Sequence, residues 1–419
     1  MGEIKTIERV PCGTVTPPPS KSISHRALIC AGLAHGTSVV EHLEYSEDII
    51  ATMRCLEALG IVCKTENDTV AVHGGLKQRN GGEILDCGES GSTLRFMLPI
   101  ALLGNTETVL TGHGRLMQRP MEEYLNAMRE NGATIVQDET SIAVRGPIAA
   151  GTYRFSGSVS SQFVTGLLLA LPLIEGVSTI ELTTPLESKG YVDLSIDVMR
   201  TFGITIENEN YQRFTVTGRQ SYQPCRYAVE ADYSAAAFFL AAGALGCDVA
   251  CAGLNPNSLQ GDRAFVDILK QCGITVQEQS GTLKALPGAI KPVTVDVSEI
   301  PDLVPPLAAL LCFTEGTSRI TNAARLRMKE SDRLHAVTTE LNKLGAEITE
   351  GDDDLIINGL DTLAGGSVDA HNDHRIAMMA AVASIRCIGE VALTGAESVK
   401  KSYPAFWNDF CKSERSIQL

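Results

Sequence analysis

The chain has 419 residues, of which 44% are hydrophobic and 20% charged, and its 35 basic and 50 acidic side chains give a formal net charge of −15. This composition excludes a disordered polymer, because the apolar fraction is high enough to form a buried core, and the length predicts two or three domains. The acidic balance argues against a nucleic-acid partner, since a broad phosphate-binding face needs a basic surface.

The first residues and the cysteines bear on localisation. The start, MGEIKTIERV, has Glu3 and Glu8 where a signal peptide needs an apolar core. No apolar run reaches the roughly 18 to 20 residues of a membrane span; the longest runs are 163–174 and 235–245. Twelve scattered cysteines with no C-x-x-C pair predict neither a disulfide framework nor a zinc site. We therefore expect a cytoplasmic protein without a membrane segment.

Six segments of the chain share one design. Each opens with a polar or glycine-containing turn, continues into an apolar helix rich in Ala and Leu, and reaches a glycine before a β-branched strand. In chain order they are SKSISHRALICAGLAHGTSVV, ESGSTLRFMLPIALLGNTETVL, SVSSQFVTGLLLALPLIEGVSTI, ADYSAAAFFLAAGALGCDVA, IPDLVPPLAALLCFTEGTSRI and NDHRIAMMAAVASIRCIGEVAL. Their glycines, roughly 70 residues apart, are Gly36, Gly104, Gly176, Gly246, Gly316 and Gly389.

A second, amphipathic helix lies between these segments. It ends each time at a glycine where a C-terminal cap belongs, namely Gly60, Gly132, Gly203, Gly273 and Gly345. Short alternating strands follow, as in AEITEGDDDLIING, where residues 351–354 are predicted to form a hairpin loop. The repeating unit is therefore predicted to be β-α-β-α-β-β, used six times.

The pattern of burial predicts the fold. The first helix of each unit is apolar nearly all round and must be buried, whereas the second has one wet face. We therefore expect an α/β protein in which helices lie inside and sheets outside, an inside-out α/β barrel with three units in each of two domains. The N-terminal domain is expected over 14–226, and the C-terminal domain over 1–13 plus 227–419. The sixth unit is expected to end in a helix near Trp407 with no strand after it, and residues 5–10 to add a strand to the C-terminal domain.

Polar turns that open buried helices are natural anion sites, because unpaired N–H groups and the helix dipole meet there. These turns carry Lys21, Ser22 and Arg26; Gly91, Ser92 and Arg95; Ser160, Ser161 and Gln162; Asp302; and Asp373, His374 and Arg375. Other cations and hydroxyls lie between them: Arg119, Ser188, Lys189, the run RLRMKESDR at 325–333, Lys400 and Lys401. The pattern predicts a cleft for small phosphates and carboxylates. The alternative is that these arginines only close structural ion pairs.

Other constellations point away from competing chemistries. His371 and His374 flank Asp373 in the manner of metal ligands, but without a further Cys or His nearby a helix-capping role is favoured. GHGRLM lacks the last glycine of a dinucleotide motif, and there is no P-loop. Ser160 and Ser161 stand in no G-x-S-x-G elbow, which disfavours a serine hydrolase.

These motifs also resemble a known family. PPPSKSISHRALICAGLA, GSTLRF, LTGHGRLMQRP, GSVSSQFVTGLLLA, ESKGYVD, IPDLVPPLAAL, RMKESDR, NDHRIAMM and KKSYPAFW are similar, in register from about Pro17 to Trp407, to the 5-enolpyruvylshikimate-3-phosphate synthase family of enolpyruvyl transferases. The family fold, two domains of three β-α-β-α-β-β units closing over a cleft, agrees with the repeat. The resemblance implies transfer of an enolpyruvyl group from phosphoenolpyruvate to the 5-hydroxyl of shikimate 3-phosphate, with release of phosphate, in chorismate and aromatic amino-acid synthesis. It implies no metal or organic cofactor.

The resemblance also assigns residues. Shikimate 3-phosphate would contact Lys21, Ser22, Arg26, Ser160, Ser161, Gln162, Ser188, Asp302 and Lys329. Phosphoenolpyruvate would contact Lys21, Gly91, Arg95, Arg119, Gln162, Arg333, Arg375 and Lys401. Asp302 is the expected general base, with Glu330 and Lys21 as proton-relay candidates. The chain departs from the best-known members at Glu89, Ser90, Phe96 and Leu326. Gly91 keeps the position without a side chain beside the phosphate, so we expect inhibition by glyphosate.

Two rival interpretations remain. The sister enolpyruvyl transferase that acts on UDP-N-acetylglucosamine normally carries a reactive cysteine before an R-P pair; here TGHGRLMQ precedes Arg119 without one. A non-catalytic anion-binding protein or repeat scaffold is the second. The expected partners are small-molecule substrates only, bound by a monomer that closes on binding.

Overall fold

The computed structural model describes residues 4–76 and 81–414. The chain divides into two compact units, which we call the N-terminal unit (Pro19–Val229) and the C-terminal unit (Met1–Pro18 with Glu230–Leu419). Each is a mixed α/β structure. Among the described residues, no helix is long and apolar enough to cross a membrane.

The described residues contain twelve α-helices and twenty-five strands. The helices are α1 (Lys21–Leu33), α2 (Glu47–Ala58), α3 (Gly91–Ala101), α4 (Glu122–Arg129), α5 (Ser161–Ala170), α6 (Lys189–Thr201), α7 (Tyr233–Ala244), α8 (Ala264–Gln271), α9 (Val304–Leu311), α10 (Arg333–Lys343), α11 (His374–Ser384) and α12 (Phe406–Phe410). The strands are β1 (Ile4–Thr6), β2 (Arg9–Val10), β3 (Gly13–Val15), β4 (Gly36–Glu41), β5 (Val62–Glu66), β6 (Thr69–Gly74), β7 (Glu83–Asp86), β8 (Glu107–Thr111), β9 (Thr134–Gln137), β10 (Ser141–Arg145), β11 (Thr152–Phe155), β12 (Val177–Leu182), β13 (Glu207–Glu209), β14 (Arg213–Thr217), β15 (Arg226–Ala228), β16 (Val249–Cys251), β17 (Val276–Gln279), β18 (Thr282–Ala285), β19 (Thr294–Asp296), β20 (Thr317–Thr321), β21 (Glu347–Glu350), β22 (Leu355–Asn358), β23 (Gly366–Asp369), β24 (Val391–Thr394) and β25 (Ser413–Glu414).

The sheets repeat one topology. The N-terminal unit has the orders β15-β4-β6-β5, β7-β8-β10-β9 and β11-β12-β14-β13, and the C-terminal unit has β17-β18-β16-β3, β19-β20-β22-β21 and β1-β24-β23. In every one, one pair of strands is parallel and the remaining pairs are antiparallel. Where the parallel pair is contiguous in the chain, a buried helix makes the crossover, as α3 does between β7 and β8.

The predicted unit is contiguous in only three of its copies, β7 to β10, β11 to β14 and β19 to β22. Two other copies take their parallel strand from a distant part of the chain, since β15 pairs with β4 and β3 pairs with β16. The sixth copy lacks the hairpin, and β1 pairs with β24 in its place. The prediction of one β-α-β-α-β-β unit used six times was wrong for the two copies that take a strand from a distant part of the chain, whereas the addition of an N-terminal strand to the incomplete sixth copy was expected.

These pairings also move the expected boundaries. Residues 14–18 belong with the C-terminal unit because β3 pairs there, and residues 227–229 belong with the N-terminal unit because β15 pairs there. The single strand expected over 5–10 is two strands, β1 and β2. The expectation that no strand follows the helix near Trp407 was also wrong, because β25 follows α12 and pairs with β2.

The first helix of each copy is buried. Every residue of α7, α9 and α11 is buried. In α1, α3 and α5 only first-turn polar residues escape full burial, and these are Lys21, Ser22, Ser92 and Gln162. The amphipathic helices end as predicted at glycines with positive φ, for example Gly60 (85°) and Gly345 (99°), and residues 351–354 link β21 to β22. The apolar helices therefore expose polar groups only where each begins.

Candidate active site

The starts of α1 and α2 are joined in the N-terminal unit. Lys21, the first residue of α1, donates from Nζ to Asp48 Oδ2 over 2.8 Å. Asp48 lies in the first turn of α2, and the two side chains are only 19% and 12% exposed. An ion pair screened this far from water fixes the lysine more firmly than a surface pair would. Lys21 is thus held at the N-terminus of a buried helix.

A buried polar chain lies near this lysine. His25 Nδ1 shares a hydrogen bond of 2.7 Å with Thr52 Oγ1, which shares another of 2.7 Å with Thr93 Oγ1. Burial, and then the charges of Lys21 and Arg26, hold the pKa of His25 well below its ordinary value, so the ring is neutral. These hydrogen bonds connect α1, α2 and α3 through uncharged groups. The positive charge beside them comes from Lys21 and Arg26.

The start of α3 meets the start of α5. Arg95 Nη1 donates to Gln162 Oε1 over 2.6 Å, and Gln162 Nε2 donates to Ser92 Oγ over 2.9 Å. Gly91 opens α3, and a Cβ built on it would lie 2.6 Å from Arg119 Nη1 and 3.3 Å from Arg95 Nη1. Two guanidinium groups therefore flank a bare backbone position, an arrangement suited to a phosphate or carboxylate.

Hydroxyl groups cap these helices. Ser90 accepts from Thr93 N at the start of α3, and Ser160 accepts from Gln162 N at the start of α5. Ser161 is 4% exposed, and Ser188, just before α6, is 1% exposed with a left-handed φ of 57°. The remaining N–H groups of these first turns point outward from the helix ends, where an anion would be stabilised.

The guanidinium of Arg26 is bound by hydroxyl and carbonyl oxygens of the protein. It is 2% exposed and donates to Ser195 Oγ (2.7 Å), Ser22 O (2.6 Å), Tyr191 O (3.0 Å) and Thr165 Oγ1 (3.4 Å). Burial lowers its pKa to about 10, which leaves it charged at neutral pH. Arg26 therefore ties α1 to α5 and α6.

In the C-terminal unit, Asp302 is surrounded by cations. Its Oδ1 accepts from Arg333 Nη1 (2.9 Å) and Lys329 Nζ (3.4 Å), and its Oδ2 accepts from Arg375 Nη2 (3.0 Å). Asp302 precedes α9, whereas Arg333 and Arg375 lie in the first turns of α10 and α11. Arg375 also donates to Ser234 Oγ in the first turn of α7. Four helix starts converge here.

Arg333 binds three carboxylates at once. Its Nε and Nη2 donate to the two oxygens of Asp373 (2.9 and 3.2 Å), Nη1 to Asp302, and Nη2 to Glu330 Oε2 (2.5 Å). Burial opposes its charge, but Asp373, Glu330 and Asp302 outweigh it and raise the pKa of Arg333. An anion that binds Arg333 must therefore compete with internal carboxylates.

The same charges shift the neighbouring pKa values. Burial favours the neutral form of Asp302, but Arg375, Lys329 and Arg333 together outweigh it and hold the pKa of Asp302 well below its ordinary value. Burial is the largest influence on Lys329 and lowers its pKa to about 8, with Asp302 opposing the shift. At neutral pH this cluster therefore holds an ionised aspartate and a lysine close to its titration range.

Lys401 is 5% exposed and donates from Nζ to Asn372 O over 2.6 Å, just before α11. Asp373 caps α11 by accepting from Arg375 N (3.0 Å), in agreement with the helix-capping interpretation. His371 bonds Glu340 over 2.7 Å. No group of three or more His, Cys, Asp or Glu suited to a metal ion occurs among the residues that the structure describes.

The structure brings most predicted residues together within their own unit. In the N-terminal unit Gly91, Arg95, Arg119 and Gln162 lie together, Ser160 and Ser161 share the start of α5 with Gln162, and Lys21 and Ser22 open α1. In the C-terminal unit the helix starts gather Asp302, Lys329, Glu330, Arg333 and Arg375. Leu326 is fully buried in the core, and Phe96 is fully buried with the Arg26 guanidinium 5.1 Å from its ring centre. Neither departure from the family pattern offers a polar contact.

Sequence reasoning missed several partners of these residues. Asp48 binds Lys21, and Asp373, noted only as part of a turn, binds Arg333. A signal existed for both, because each is an acidic residue in or before a helix's first turn in a chain whose cations collect at such turns. No sequence signal marks Ser234 as the partner of Arg375.

The two units thus present fixed cations, neutral donors and ion-paired carboxylates, Asp302 among them, at the starts of helices. These features define an enzyme class that handles small polyanions by charge stabilisation and proton transfer. The family model of EPSP synthase (3-phosphoshikimate 1-carboxyvinyltransferase) matches residues 5–410, and the chain belongs to that family. It is an enzyme of the shikimate pathway.

Individual relatives agree with the family match. The chain is 46% identical over 400 residues to a 3-phosphoshikimate 1-carboxyvinyltransferase of Clostridium kluyveri, covering 95% of this chain and 94% of the relative. It is 45% identical over 402 residues to the protein of that name from Clostridium perfringens (strain 13), covering 95% of each. The solved EPSP synthase of Acinetobacter baumannii superposes with a TM-score of 0.81 at 27% identity, covering 100% of this chain and 99% of that one.

Proposed function

We propose that the chain transfers the enolpyruvyl group of phosphoenolpyruvate to the 5-hydroxyl of shikimate 3-phosphate and releases phosphate. The observation that carries the proposal is the three-cation cluster around Asp302, together with the polar first turns of otherwise buried helices. Two multiply charged substrates repel each other, so a catalyst must supply fixed positive charge to hold them together.

The residues divide between the substrates as follows. Shikimate 3-phosphate is bound by Lys21, Ser22, Arg26, Ser160, Ser161, Gln162, Ser188, Asp302 and Lys329. Phosphoenolpyruvate is bound by Lys21, Gly91, Arg95, Arg119, Gln162, Arg333, Arg375 and Lys401. Because Arg26 already donates to four protein oxygens, its main part in this set is to hold Ser22 in place.

Asp302 acts as the general base. It removes the proton of the 5-hydroxyl as that oxygen bonds to C2 of phosphoenolpyruvate, while a proton from Lys21 or Glu330 converts the CH₂ group to a methyl group. Elimination reverses these transfers: the methyl group loses a proton, and the bond from C2 to the phosphate oxygen breaks. In the free enzyme Asp302 is a weak base, because three cations lower its pKa. Phosphoenolpyruvate would draw on Arg333 and Arg375 and so raise that pKa.

The remaining expectations fit this function. Each unit is an inside-out barrel of helices enclosed by sheets, and the enzyme acts as a monomer without metal or organic cofactor. Twelve free cysteines, eight of them buried, suit the reducing cytoplasm. None of these properties alters the assignment of residues to substrates.

A phosphate-release assay on the purified chain tests the proposal. Wild type should release phosphate only when both substrates are present, and Lys21→Met and Asp302→Ala should each lower kcat by about 100-fold or more. Asp354→Ala removes a carboxylate that pairs with Arg319 elsewhere in the C-terminal unit and serves as the matched control. Phosphate release that requires UDP-N-acetylglucosamine would favour the sister transferase. Equal binding of either ligand alone, with no phosphate released, would favour a non-catalytic anion-binding protein.

A further inference from the structure

Two consecutive residues between β23 and α11 have an unusual backbone. His371 and Asn372 have φ values of 52° and 53°, in the left-handed region that favours glycine. A pair of non-glycine residues in this region persists only where surrounding contacts determine it, and such residues cluster at functional sites. We refer to residues 369–373 as the α11 turn.

A buried carboxylate holds one side of the α11 turn. The side chain of Glu340, on α10, has no exposed surface, and its oxygens accept from Lys343 Nζ (2.9 Å), His371 Nε2 (2.7 Å) and the backbone N–H of Asp369 (2.9 Å). Asp369 Oδ1 accepts in turn from the backbone N–H of His371 over 2.6 Å. Hydrogen bonds within the C-terminal unit therefore fix the left-handed conformation.

On its other side, the α11 turn contacts residues that are proposed to bind phosphoenolpyruvate. Asn372 O accepts from Lys401 Nζ over 2.6 Å. The next residue, Asp373, accepts from Arg333 Nε over 2.9 Å and from the backbone N–H of Arg375 over 3.0 Å. Two cations, Lys401 and Arg333, are thus held by two adjacent residues of one strained turn, and the same turn caps α11 at the backbone of Arg375.

We propose that His371 and Glu340 are positioning residues for phosphoenolpyruvate: their hydrogen bond fixes the α11 turn, and the turn orients Lys401 and Arg333. This inference rests on the proposed function of those two cations. Neither residue touches a reacting atom. Losing the bond should weaken phosphoenolpyruvate binding while leaving shikimate 3-phosphate binding and the chemical step nearly unchanged.

The pair is also sensitive to pH. The hydrogen bond to Glu340 and then its charge raise the pKa of His371, with burial opposing the shift; Asp369 raises it further and Lys343 lowers it. Because the folded-state pKa lies above the ordinary value of about 6.5, the imidazolium persists to higher pH than that of a free histidine and is lost as pH rises through the raised pKa. The hold on the α11 turn should therefore weaken as pH rises through that pKa.

Steady-state kinetics of full-length variants test the proposal. His371→Ala should raise KM for phosphoenolpyruvate about tenfold at pH 7 and change kcat and KM for shikimate 3-phosphate less than about threefold. His371→Gln keeps an N–H donor but does not titrate, so it should recover much of the lost affinity. It should also flatten the rise of KM for phosphoenolpyruvate with pH that we expect of wild type. Glu340→Gln should resemble His371→Ala if it folds.

His335, which lies on α10 as Glu340 does, provides a matched control. His335 Nδ1 pairs with Glu350 Oε2 over 3.0 Å, and its side chain is 63% exposed, so His335→Ala removes a similar His–Glu pair away from the α11 turn and should leave both KM values unchanged. If His371→Ala matches wild type, or raises both KM values equally with a lowered melting temperature, the positioning role is refuted. Failure of wild type to release phosphate would instead refute the proposed function.

Discussion

Lys21 Nζ and Asp48 Oδ2 lie 2.8 Å apart and join the start of α1 to the start of α2. Asp48 also has its backbone oxygen within 3.4 Å of Thr93 Oγ1 on α3, so three helix starts share this contact. The lysine that we propose contacts both anionic substrates is thereby oriented before either arrives. Preorganisation of this kind avoids reorientation during the reaction.

Replacing the carboxylate of Asp48 should lower activity, which depends on the orientation of Lys21, and leave the stability of the fold nearly unchanged. Asp48→Asn keeps the shape of the side chain but removes its charge, so kcat/KM should fall about tenfold, while the free energy of unfolding changes by only about 1 kcal/mol. Asp197→Asn, which removes the charge of an exposed pair with Arg200, is the control and should leave kcat/KM unchanged. Activity equal to wild type in Asp48→Asn would show that Lys21 needs no fixed partner.

The candidate site was predictable where it depends on local pattern. Lys21, Gln162 and Arg375 could be found because each is a polar residue in the first turn of an otherwise apolar helix. Their partners could not, because they come from tertiary pairing: Asp48 is 27 residues from Lys21, and Asp373 is 40 residues from Arg333. Periodicity carries no information on which helix starts meet.

The same distinction explains the errors in the fold. The long helices and the hairpin at 351–354 follow from hydrophobic spacing and turn residues. The strands β3 and β15 have three residues each, too few to show an alternating pattern, and pair with strands far away in the chain. Each of these strands completes a copy of the unit far from it in the chain. Only the structure shows these pairings, and the domain boundaries depend on them.

The pKa of Lys329 predicts a pH dependence for shikimate 3-phosphate binding. With a pKa of about 8, the lysine is charged below that pH and neutral above it. The substrate phosphate is already a dianion in this range, since its second pKa is about 6. The dissociation constant measured by calorimetry should therefore be nearly constant around pH 7, where the phosphate is a dianion and the lysine is charged, and rise up to tenfold per unit above about pH 8. Lys329→Arg should remove this rise, because a guanidinium keeps its charge.

A different result would exclude this role. If Lys329→Met binds shikimate 3-phosphate with the affinity and pH profile of wild type, then Lys329 does not contact the phosphate. Lys284→Met is a suitable control, because Lys284 is a lysine of the same unit that pairs with Asp248 and was not assigned to a substrate.

Gly91→Ala should change inhibitor sensitivity. The new Cβ would lie 2.6 Å from Arg119 Nη1, so the guanidinium must move away from the start of α3. We expect wild type to be inhibited by glyphosate, and the variant to need at least about tenfold more inhibitor while its KM for phosphoenolpyruvate also rises. Gly261→Ala is the control, since its Cβ would meet no atom closer than 3.6 Å. Unchanged sensitivity in Gly91→Ala would contradict the steric explanation.

Gly166→Ala should destabilise the N-terminal unit. A Cβ at Gly166 on α5 would overlap Arg95 O and Tyr124 Oη, and the Tyr124 hydroxyl donates to that same carbonyl over 3.0 Å. Overpacking of this kind should lower the free energy of unfolding, measured by urea denaturation, by about 2 to 3 kcal/mol. Adding Tyr124→Phe should recover only part of the loss, because the backbone overlap with Arg95 remains. Gly288→Ala, whose Cβ would have its nearest neighbour at 3.8 Å, should be neutral, and an equally neutral Gly166→Ala would show that α3 and α5 can separate without cost.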